Sequence, residues 1–328
     1  MNILLVSPNL SSFVARDLKI LRERHNVVVR FVNHVNPFRF LGDIRTLWKS
    51  DLLFVWFASI YTFPLVIAAR LLGKRIVTVV GGYEAANKPE LGYGSARSRF
   101  LRTLVRRILA MSDQVLAVSR SSELHIQRNL AVASSKIRML YHGFEDITFN
   151  TDDPKTPKVV NVGQLSDETW KIKGIYDFIL VAEQMPDIEF IHIGGLRINV
   201  TAKLGRPLPP NLRFIGQVPF EQLGQYLSTA KVYLQLSRHE SFGCSVAEAM
   251  LFRCIPVVSN AAALPEIVGD CGIIIESREA PDVVDAVRRA LAMPESEGDR
   301  ARQRVRAHFS YERRRDALLQ VINMLAPK

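Results

Sequence analysis

The sequence predicts an α/β protein with two domains, each a parallel β-sheet covered by helices on both faces. Twelve short apolar runs rich in β-branched residues alternate with amphipathic helical stretches, which is the pattern of strands buried on both faces. The length of 328 residues exceeds what one hydrophobic core usually fills. A polar segment with two prolines and no periodicity, 148–158, follows the sixth run and is the predicted linker.

The first domain is predicted to span 1–147. Its strand-like runs are 2–7, 26–32, 52–57, 75–81, 114–119 and 137–142. In this half, 52–69 carries no charge over eighteen residues, which is long enough to be considered as a membrane span. We interpret it instead as a strand followed by a helix, because Ser59 interrupts the stretch and Pro64 suits the first turn of a helix.

The second domain is predicted to span 159–310 and repeats the alternation of the first. Its strand-like runs are 159–163, 188–194, 212–218, 232–237, 255–259 and 272–276. Beyond Pro294 the pattern changes to charged helical sequence without strands. Two Rossmann-like domains predict a ligand-binding cleft between the carboxyl ends of two sheets.

The formal charge of +11 lies entirely in the first half. Residues 1–150 hold 21 Lys and Arg against 10 Asp and Glu, whereas 151–328 hold 22 of each kind. This asymmetry predicts an anionic partner for the first half, with nucleic acid, an acidic membrane surface and a phosphorylated substrate as the candidates.

Composition also excludes several classes of protein. A hydrophobic fraction of 48% is too high for a disordered chain. Three cysteines without a CxxC pair indicate neither a disulfide framework nor a zinc site. Met1 leads directly into a strand-like run without a basic segment or a cleavage site, so we expect a cytoplasmic protein.

The most informative window is 236–269. A predicted strand ends at Ser237, and a helix is predicted to start near Gly243, whose exposed N–H groups would form an anion site suited to a diphosphate. Glu240 lies in the loop and Glu248 lies further along the helix. Carboxylates repel phosphate but accept hydrogen bonds from sugar hydroxyls, so this window indicates a nucleotide sugar.

The segment from Glu240 to Glu248, followed by Pro256, Asn260 and the run LPEIVGD, resembles the donor-site signature of retaining GT-B glycosyltransferases, specifically glycosyltransferase family four. The resemblance covers nearly the whole chain. It includes Gly163 and 173–174, the glycine turn in 191–195, and 141–149, where the first domain ends in this family. The terminal 309–322 resembles the family's last helix, which implies that 311–328 crosses back onto the first domain.

The resemblance implies a role for each matching residue. Glu240 and Lys173 are the implied catalytic residues: the carboxylate would accept hydrogen bonds from the donor sugar, and the ammonium would neutralise charge on the departing diphosphate. Glu248 would bind the ribose. The implied nucleotide-sugar contacts are Glu248, Ser241, Phe242, Gly243, Gly163, Gln164, Gly216, Gln217 and Val218.

Three departures from the family pattern affect the phosphate and first-domain contacts. Gln164 stands where the family commonly has an arginine that meets the diphosphate. Residues 81–84, Gly-Gly-Tyr-Glu, replace the usual His-Asp, and 8–12 lacks a glycine-rich turn. The candidate first-domain contacts are therefore Gly81, Gly82, Arg120 and His142, although an exposed arginine or a loop histidine is more often structural.

The motifs predict transfer without a metal ion or a cofactor. The histidines show no HExxH spacing, no Asp-x-Asp motif bridges a metal to a diphosphate, and Asp152 and Asp153 fall in the predicted linker. Catalysis would then rest on donor and acceptor geometry and on stabilising the leaving nucleoside diphosphate. The resemblance implies retention of anomeric configuration by attack on the same face.

The basic residues of the first half concentrate in 95–111. Phe100, Leu101, Leu104, Val105, Ile108 and Leu109 are predicted to share one helical face, and Arg97, Arg99, Arg102, Arg106 and Arg107 lie largely opposite. A second cluster, 37–49, mixes cations with aromatic residues such as Phe38, Arg39 and Trp48. Each segment is typical of an ordinary amphipathic helix, but together with the charge asymmetry they indicate a peripheral contact with an anionic membrane.

The function hypothesis is a hexosyltransferase that extends a lipid-linked, polysaccharide or other glycan acceptor, without nucleic acid as a partner. Two alternatives remain at this stage. One is a non-catalytic nucleotide-binding or nucleic-acid-binding protein, and the other is a sugar-nucleotide epimerase on the same fold. An epimerase would isomerise the donor without any acceptor.

Overall fold

The computed structural model of the chain describes residues 1–33, 37–146 and 154–326, with the side chains of 37–39 excepted. It divides into two compact units, one formed by Met1–Gly143 with Tyr311–Lys328 and the other by Phe144–Ser310. Most of the predicted linker, 148–153, lies outside the described residues, as do Asp152 and Asp153. Thr156 to Lys158, which we had assigned to the linker, instead begin the first strand of the second unit.

The first unit contains a six-stranded sheet with every strand parallel to its neighbours. Its strands are β1 (Asn2–Ser7), β2 (Asn26–Phe31), β3 (Leu52–Trp56), β4 (Arg75–Val80), β5 (Gln114–Ala117) and β6 (Ile137–Met139). The helices between them are α1 (Ser12–Arg22), α2 (Pro37–Trp48), α3 (Phe63–Leu71), α4 (Arg99–Met111) and α5 (Arg120–Leu130). The spatial order is β2-β1-β3-β4-β5-β6, so the order in which successive strands are added reverses between β1 and β3, while all strands stay parallel.

The uncharged stretch of the first half is a strand and a helix, as predicted. All five residues of β3 are buried, because β3 lies inside the sheet between β1 and β4 with helices over both faces. The Ser59 amide donates to Thr62 Oγ1 at 3.0 Å, which closes the turn before α3. Within the described ranges, no helix has the length and apolar character needed to cross a bilayer.

The second unit repeats the plan with its own six-stranded parallel sheet. Its strands are β7 (Thr156–Val162), β8 (Glu189–Ile193), β9 (Leu212–Gly216), β10 (Ala230–Gln235), β11 (Ile255–Ser259) and β12 (Ile273–Ile275). Its helices are α6 (Asp167–Ile172), α7 (Ile175–Glu183), α8 (Val200–Leu204), α9 (Phe220–Thr229), α10 (Cys244–Leu251), α11 (Leu264–Val268), α12 (Ala280–Ala292) and α13 (Ser296–His308). The spatial order is β12-β11-β10-β7-β8-β9, and the order in which successive strands are added reverses between β10 and β7.

The last helix, α14 (Tyr311–Met324), belongs to the first unit although it follows the second in sequence. Arg314 of α14 bonds the carboxylate of Asp17 on α1 through two of its nitrogens. Tyr311 Oη donates to Glu23 Oε1 at 2.8 Å, just beyond the end of α1. The two six-stranded sheets confirm the prediction of an α/β protein with two domains. All twelve predicted strands are present, and most of them end one to three residues earlier than predicted.

Candidate active site

The second unit brings its candidate residues to the carboxyl edge of its sheet, where the strand order reverses between β10 and β7. In parallel α/β sheets, ligands bind at such a reversal because the loops of the two strands leave in opposite directions and open a crevice. The loop after β10 carries Glu240, and the loop after β7 carries Gly163 and Gln164. The fold therefore brings to one edge residues that are far apart in the sequence. Lys173 and Glu240, for example, are 67 positions apart.

The turn at 173–174 is pressed directly against the end of β10. The Arg238 amide donates to the Ile172 carbonyl at 2.7 Å. Gly174 has φ +64, and a Cβ at this position would lie 2.1 Å from the Leu236 carbonyl oxygen. Only glycine permits both the positive φ and this close approach. Gly174 therefore fixes the position of the Lys173 backbone relative to β10.

Lys173 and Glu240, the two predicted catalytic residues, are in direct contact. Lys173 Nζ lies 2.5 Å from Glu240 Oε2, and the two side chains are 23% and 17% exposed. Both side chains are thus largely buried but still partly exposed to solvent. An ammonium with three donors can hold this carboxylate and also meet a phosphate oxygen, so the pair can contact a sugar and a leaving group together.

The loop that carries Glu240 is fastened at both ends. The Ala263 amide donates to the Glu240 carbonyl at 3.1 Å. Gly243 caps α10 with φ +107, and a Cβ there would lie 3.1 Å from Leu264 and 3.8 Å from Glu240. As predicted, the helix starts just after Gly243, so the first N–H groups of α10 stand beside the Glu240 side chain.

The negative charges of Glu248 and Glu240 both act on the buried hydroxyl of Tyr233. Burial raises the pKa of Tyr233, and the negative charges of Glu240 and Glu248 raise it further. Tyr233 Oη donates to Gln235 Oε1 at 2.9 Å, and Gln235 Nε2 donates to Ser237 Oγ at 2.5 Å. These three side chains were not among the predicted site residues, although polar side chains at alternate positions of an apolar strand indicate that one face of the strand is hydrogen-bonded.

The loop after β7 and the loop after β8 pack against each other at Gly163 and Gly194. A Cβ on Gly194 would lie 2.0 Å from the Gly163 carbonyl oxygen, and the Gly163 amide donates to the Ile193 carbonyl at 2.9 Å. Beneath them His192 is fully buried, with Nε2 3.0 Å from the Gly163 oxygen and Nδ1 2.8 Å from Asn161 Oδ1. Burial lowers the pKa of His192 to about 4, so a neutral imidazole supports the Gly163 loop.

Gln164 and Gln217 lie on the exposed side of these loops. With its amide oxygen facing Arg197, Gln164 accepts hydrogen bonds from the guanidinium Nε at 2.8 Å and Nη2 at 3.0 Å. Gly195 lies beside both glutamines, since a Cβ on it would be 3.6 Å from Gln217 Oε1 and 3.7 Å from Gln164. Gly216 ends β9 with φ +82 and, as a glycine, has no side chain with which to contact a ligand. Val218, two residues later, is half-buried. Arg197 was not among the predicted site residues.

The side chain of Phe242 anchors the loop rather than facing a ligand. It is 2% exposed and packs against Phe144, with ring centroids 6.0 Å apart, and against Phe309 at 5.6 Å. The neighbouring Ser241 is half-buried. Any ligand contact by Phe242 must therefore use its backbone.

The candidates of the first unit make contacts with residues close to them in sequence. The Gly81 and Gly82 amides donate to the carboxylate of Glu84 at 3.2 and 3.0 Å, so this carboxylate occupies the groups that we had expected to meet a donor. Burial raises the pKa of Glu84 to about 7. Arg120 forms an exposed ion pair with Glu123 at 3.4 Å.

His142 is part of an aromatic cluster in the first unit. It is 5% exposed and lies against Phe13 and Trp56, with ring centroids 5.3 and 6.0 Å away. Burial lowers the pKa of His142 well below its usual value, and the positive charges of Arg314 and Arg16 add to the effect. The geometry gives His142 a packing role as a neutral imidazole.

No group of three His, Cys, Asp or Glu side chains with the spacing of a metal site is found among the residues that the structure describes. The second unit instead offers Lys173, Arg197 and the first N–H groups of α10 as partners for an anion. A nucleoside diphosphate suits this set of donors.

Two Rossmann-like units, one with glycine loops and a lysine–carboxylate pair at its strand reversal, have the architecture of the GT-B glycosyltransferases. The chain belongs to the family described as glycosyl transferases group 1, whose model matches residues 144–308. The model described as Glycosyltransferase Family 4 matches residues 4–146.

Two mannosyltransferases match parts of the chain. O-antigen chain mannosyltransferase B of Escherichia coli is 37% identical over 76 residues, which is 23% of this chain and 19% of the relative. The lipopolysaccharide core biosynthesis mannosyltransferase LpcC of Rhizobium leguminosarum bv. viciae is 30% identical over 123 residues, 36% of this chain and 34% of the relative. The chain thus matches about a fifth to a third of the length of these two proteins.

Solved structures extend the likeness of fold to the whole chain. Alr3699/HepE of Anabaena, crystallised in complex with UDP and glucose, superposes with a TM-score of 0.77. The match covers 99% of this chain and 100% of that one at 17% sequence identity. At this identity the likeness concerns the fold alone.

Proposed function

We propose that the protein transfers a hexose from a nucleotide-diphosphate sugar to a glycan or lipid-linked acceptor, with retention of configuration and without a metal ion. The observation that carries the proposal is the 2.5 Å contact between Lys173 and Glu240 at the strand reversal. Membership of a glycosyltransferase family and the mannosyltransferase names of two relatives support it.

The chemistry follows from the groups at this edge. The bond between the sugar C1 and the diphosphate oxygen breaks, and a new bond forms between C1 and the acceptor oxygen, whose proton leaves with the diphosphate. Lys173 and the N–H groups at the start of α10 stabilise the charge that collects on the leaving diphosphate. Glu240 accepts hydrogen bonds from the sugar hydroxyls and Glu248 from the ribose, which fixes the donor.

The experiment is a screen of UDP, GDP and ADP sugars with a panel of glycan and lipid-linked acceptors, with and without EDTA. We expect one donor class to yield a glycoside of unchanged anomeric configuration by NMR, at the same rate in EDTA. Inversion of configuration or loss of activity in EDTA contradicts the corresponding part of the proposal. An isomerised donor without acceptor indicates the epimerase, and the absence of any nucleotide-sugar binding by calorimetry refutes the proposal as a whole.

We also propose that the first unit touches the anionic, cytoplasmic face of a membrane. In α4, Leu104, Val105, Ile108 and Leu109 are buried as predicted, whereas Phe100, expected on the same face, is 65% exposed. Four of the five predicted arginines, Arg97, Arg99, Arg106 and Arg107, are exposed, and Arg102 is half-buried. An exposed aromatic ring beside exposed guanidinium groups is typical of interfacial helices.

The neighbouring helices add to this surface. Helix α3 packs against both α2 and α4. The side chains exposed on α2 and α3 include Leu41, Trp48, Ile67 and Leu71. The side chains of Phe38 and Arg39, which also belonged to the predicted cluster, lie outside the described residues.

A sedimentation assay with vesicles tests the membrane proposal. We expect binding to vesicles containing anionic lipid, with loss of binding at high salt or in neutral vesicles, and no binding to DNA. The variant R106A/R107A should bind more weakly, while R288A, which removes an exposed arginine of the second unit, should bind normally. Equal binding to neutral vesicles, or salt-sensitive binding to DNA, contradicts the proposal.

A further inference from the structure

We propose that Arg197 is a second cation for the donor's diphosphate and that Gln164 is the residue that positions it. This inference rests on the proposed function, because it concerns the same nucleotide-sugar site. The contact that carries it is the paired hydrogen bond from Arg197 Nε and Nη2 to the Gln164 side chain.

The Lys173–Glu240 pair at the strand reversal does not by itself neutralise a diphosphate. Lys173 is already paired with Glu240 at 2.5 Å, so that pair contributes no net charge. A nucleoside diphosphate carries about two to three negative charges when it leaves, and burying such a group without opposite charge is costly. One paired lysine does not balance this group.

The backbone of Arg197 is fixed at the correct edge of the sheet. The Leu165 amide donates to the Gly195 carbonyl at 2.9 Å, and the Arg197 amide donates to the Leu165 carbonyl at 2.8 Å. These bonds form a parallel bridge between Leu165 and Leu196 just beyond β7 and β8. Since β7 also adjoins β10, this bridge lies at the same carboxyl edge as the loop that carries Glu240.

Its guanidinium is oriented without losing its charge. Gln164 holds the Nε and Nη2 edge at 2.8 and 3.0 Å and leaves the Nη1 donors for another acceptor. Other arginines of the second unit, such as Arg206 and Arg213, are paired with glutamates. Among the described residues no carboxylate forms an ion pair with Arg197, so an exposed cation is held in place by a neutral amide.

The adjoining backbone allows a phosphate to approach. Gly194 packs on the Gly163 carbonyl so closely that a Cβ would lie 2.0 Å from its oxygen. Gly195 follows, and its missing side chain leaves space between Gln164 and Gln217. A planar guanidinium beside such an opening is suited to hold two phosphate oxygens at once.

The test uses calorimetry with the full chain and whichever of UDP, GDP and ADP binds most tightly, together with the matching nucleoside monophosphate. We expect R197Q to weaken diphosphate binding by about ten- to a hundredfold and monophosphate binding much less, because charge-assisted hydrogen bonds to the second phosphate are lost. R213Q, which removes an exposed arginine of β9 in the same unit, is the matched control and should bind normally. Thermal melting without ligand checks that both variants fold.

Moving the positive charge from position 197 to position 164 distinguishes a direct contact of the cation with the diphosphate from a structural role of Arg197. In the double variant R197Q/Q164R the cation returns from the partner position, and we expect it to recover most of the lost affinity. Unchanged diphosphate affinity in R197Q, or equal losses for both nucleotides, overturns the inference while leaving the proposed function intact. Failure of the wild type to bind any nucleoside diphosphate overturns the proposed function, and this inference with it.

Discussion

The guanidinium of Arg314 holds both carboxylate oxygens of Asp17, with Nε to Oδ1 at 2.5 Å and Nη2 to Oδ2 at 2.7 Å. The two residues are 3% and 0% exposed. The remaining Nη1 donates to the carbonyls of Leu140 and Tyr141 at 2.9 and 2.7 Å. A single buried side chain thus connects α14, α1 and the segment after β6 within the first unit.

Replacing Arg314 by leucine should lower the free energy of unfolding of the first unit by about 3–5 kcal/mol, because it leaves a buried carboxylate and two carbonyls without their donor. R306L is the control. Arg306 makes the same two-bond contact with Asp146, at 2.9 and 2.7 Å, but at the surface, where such a pair is worth at most about 1 kcal/mol. Urea unfolding of both variants measures the difference, and equal losses would contradict the role of burial.

Replacing Glu240 by glutamine or alanine should reduce sugar transfer by at least about a hundredfold and leave the fold intact, because the donor sugar loses the carboxylate that orients it. E183Q is the matched control, since Glu183 is also paired with a cation, Arg206, but lies on α7. Initial rates and thermal melting are measured for all variants. Near-normal turnover in E240A would refute the catalytic assignment.

Replacing Gly174 by alanine should displace Lys173 from Glu240, because the new Cβ would lie 2.1 Å from the Leu236 carbonyl oxygen. A displacement of about 1 Å at a reacting group can reduce the rate by about a hundredfold.

The control for G174A is G205A in the same unit. Gly205 has φ +75, similar to Gly174, but no atom lies within 4 Å of a Cβ built on it. G205A therefore carries only the backbone cost of about 1–2 kcal/mol and should keep its transfer rate. Comparable rates for the two variants would show that the close approach at Gly174 does not position the lysine.

Glu84 should make the first unit less stable as the pH rises from about 4.5 to about 7. Burial raises its pKa to about 7 from an ordinary value of 4.5, so in this range the folded chain binds a proton that the unfolded chain has lost. The proton favours the folded state below this range, and its contribution is lost as the pH rises through 7. The total change is about 3 kcal/mol.

The variant E84Q isolates this contribution because other titrating groups are common to both proteins. Urea unfolding of wild type and E84Q is compared between pH 5 and pH 8. We expect the wild type to lose stability relative to E84Q as the pH increases. A constant difference would mean that Glu84 titrates at an ordinary carboxyl pKa in the folded protein.

The alternation of apolar runs and helices predicted the strands well because a parallel sheet covered on both faces requires continuous apolar segments. Phe100 shows where helical periodicity is insufficient. Its position places it next to the buried face of α4, yet it is exposed, because burial depends on which neighbouring elements cover each side of a helix. The same limit applies to Arg197, whose partner Gln164 lies on another strand's loop.

Motif and composition were sufficient for the α/β class and the two Rossmann-like units, because both depend on local pattern. The roles of Glu240, Glu248 and Lys173 were implied by the resemblance to a family and stay predictions. The contact between Lys173 and Glu240, the support of the Gly163 loop by His192, and the orientation of Arg197 depend on the strand order β10-β7-β8. Strand order brings distant loops to one edge of the sheet, and no local pattern in the chain encodes it. The basic charge of the first half and its concentration in 95–111 were evident from the sequence, while the exposure of Phe100 among these arginines depends on the packing of α4.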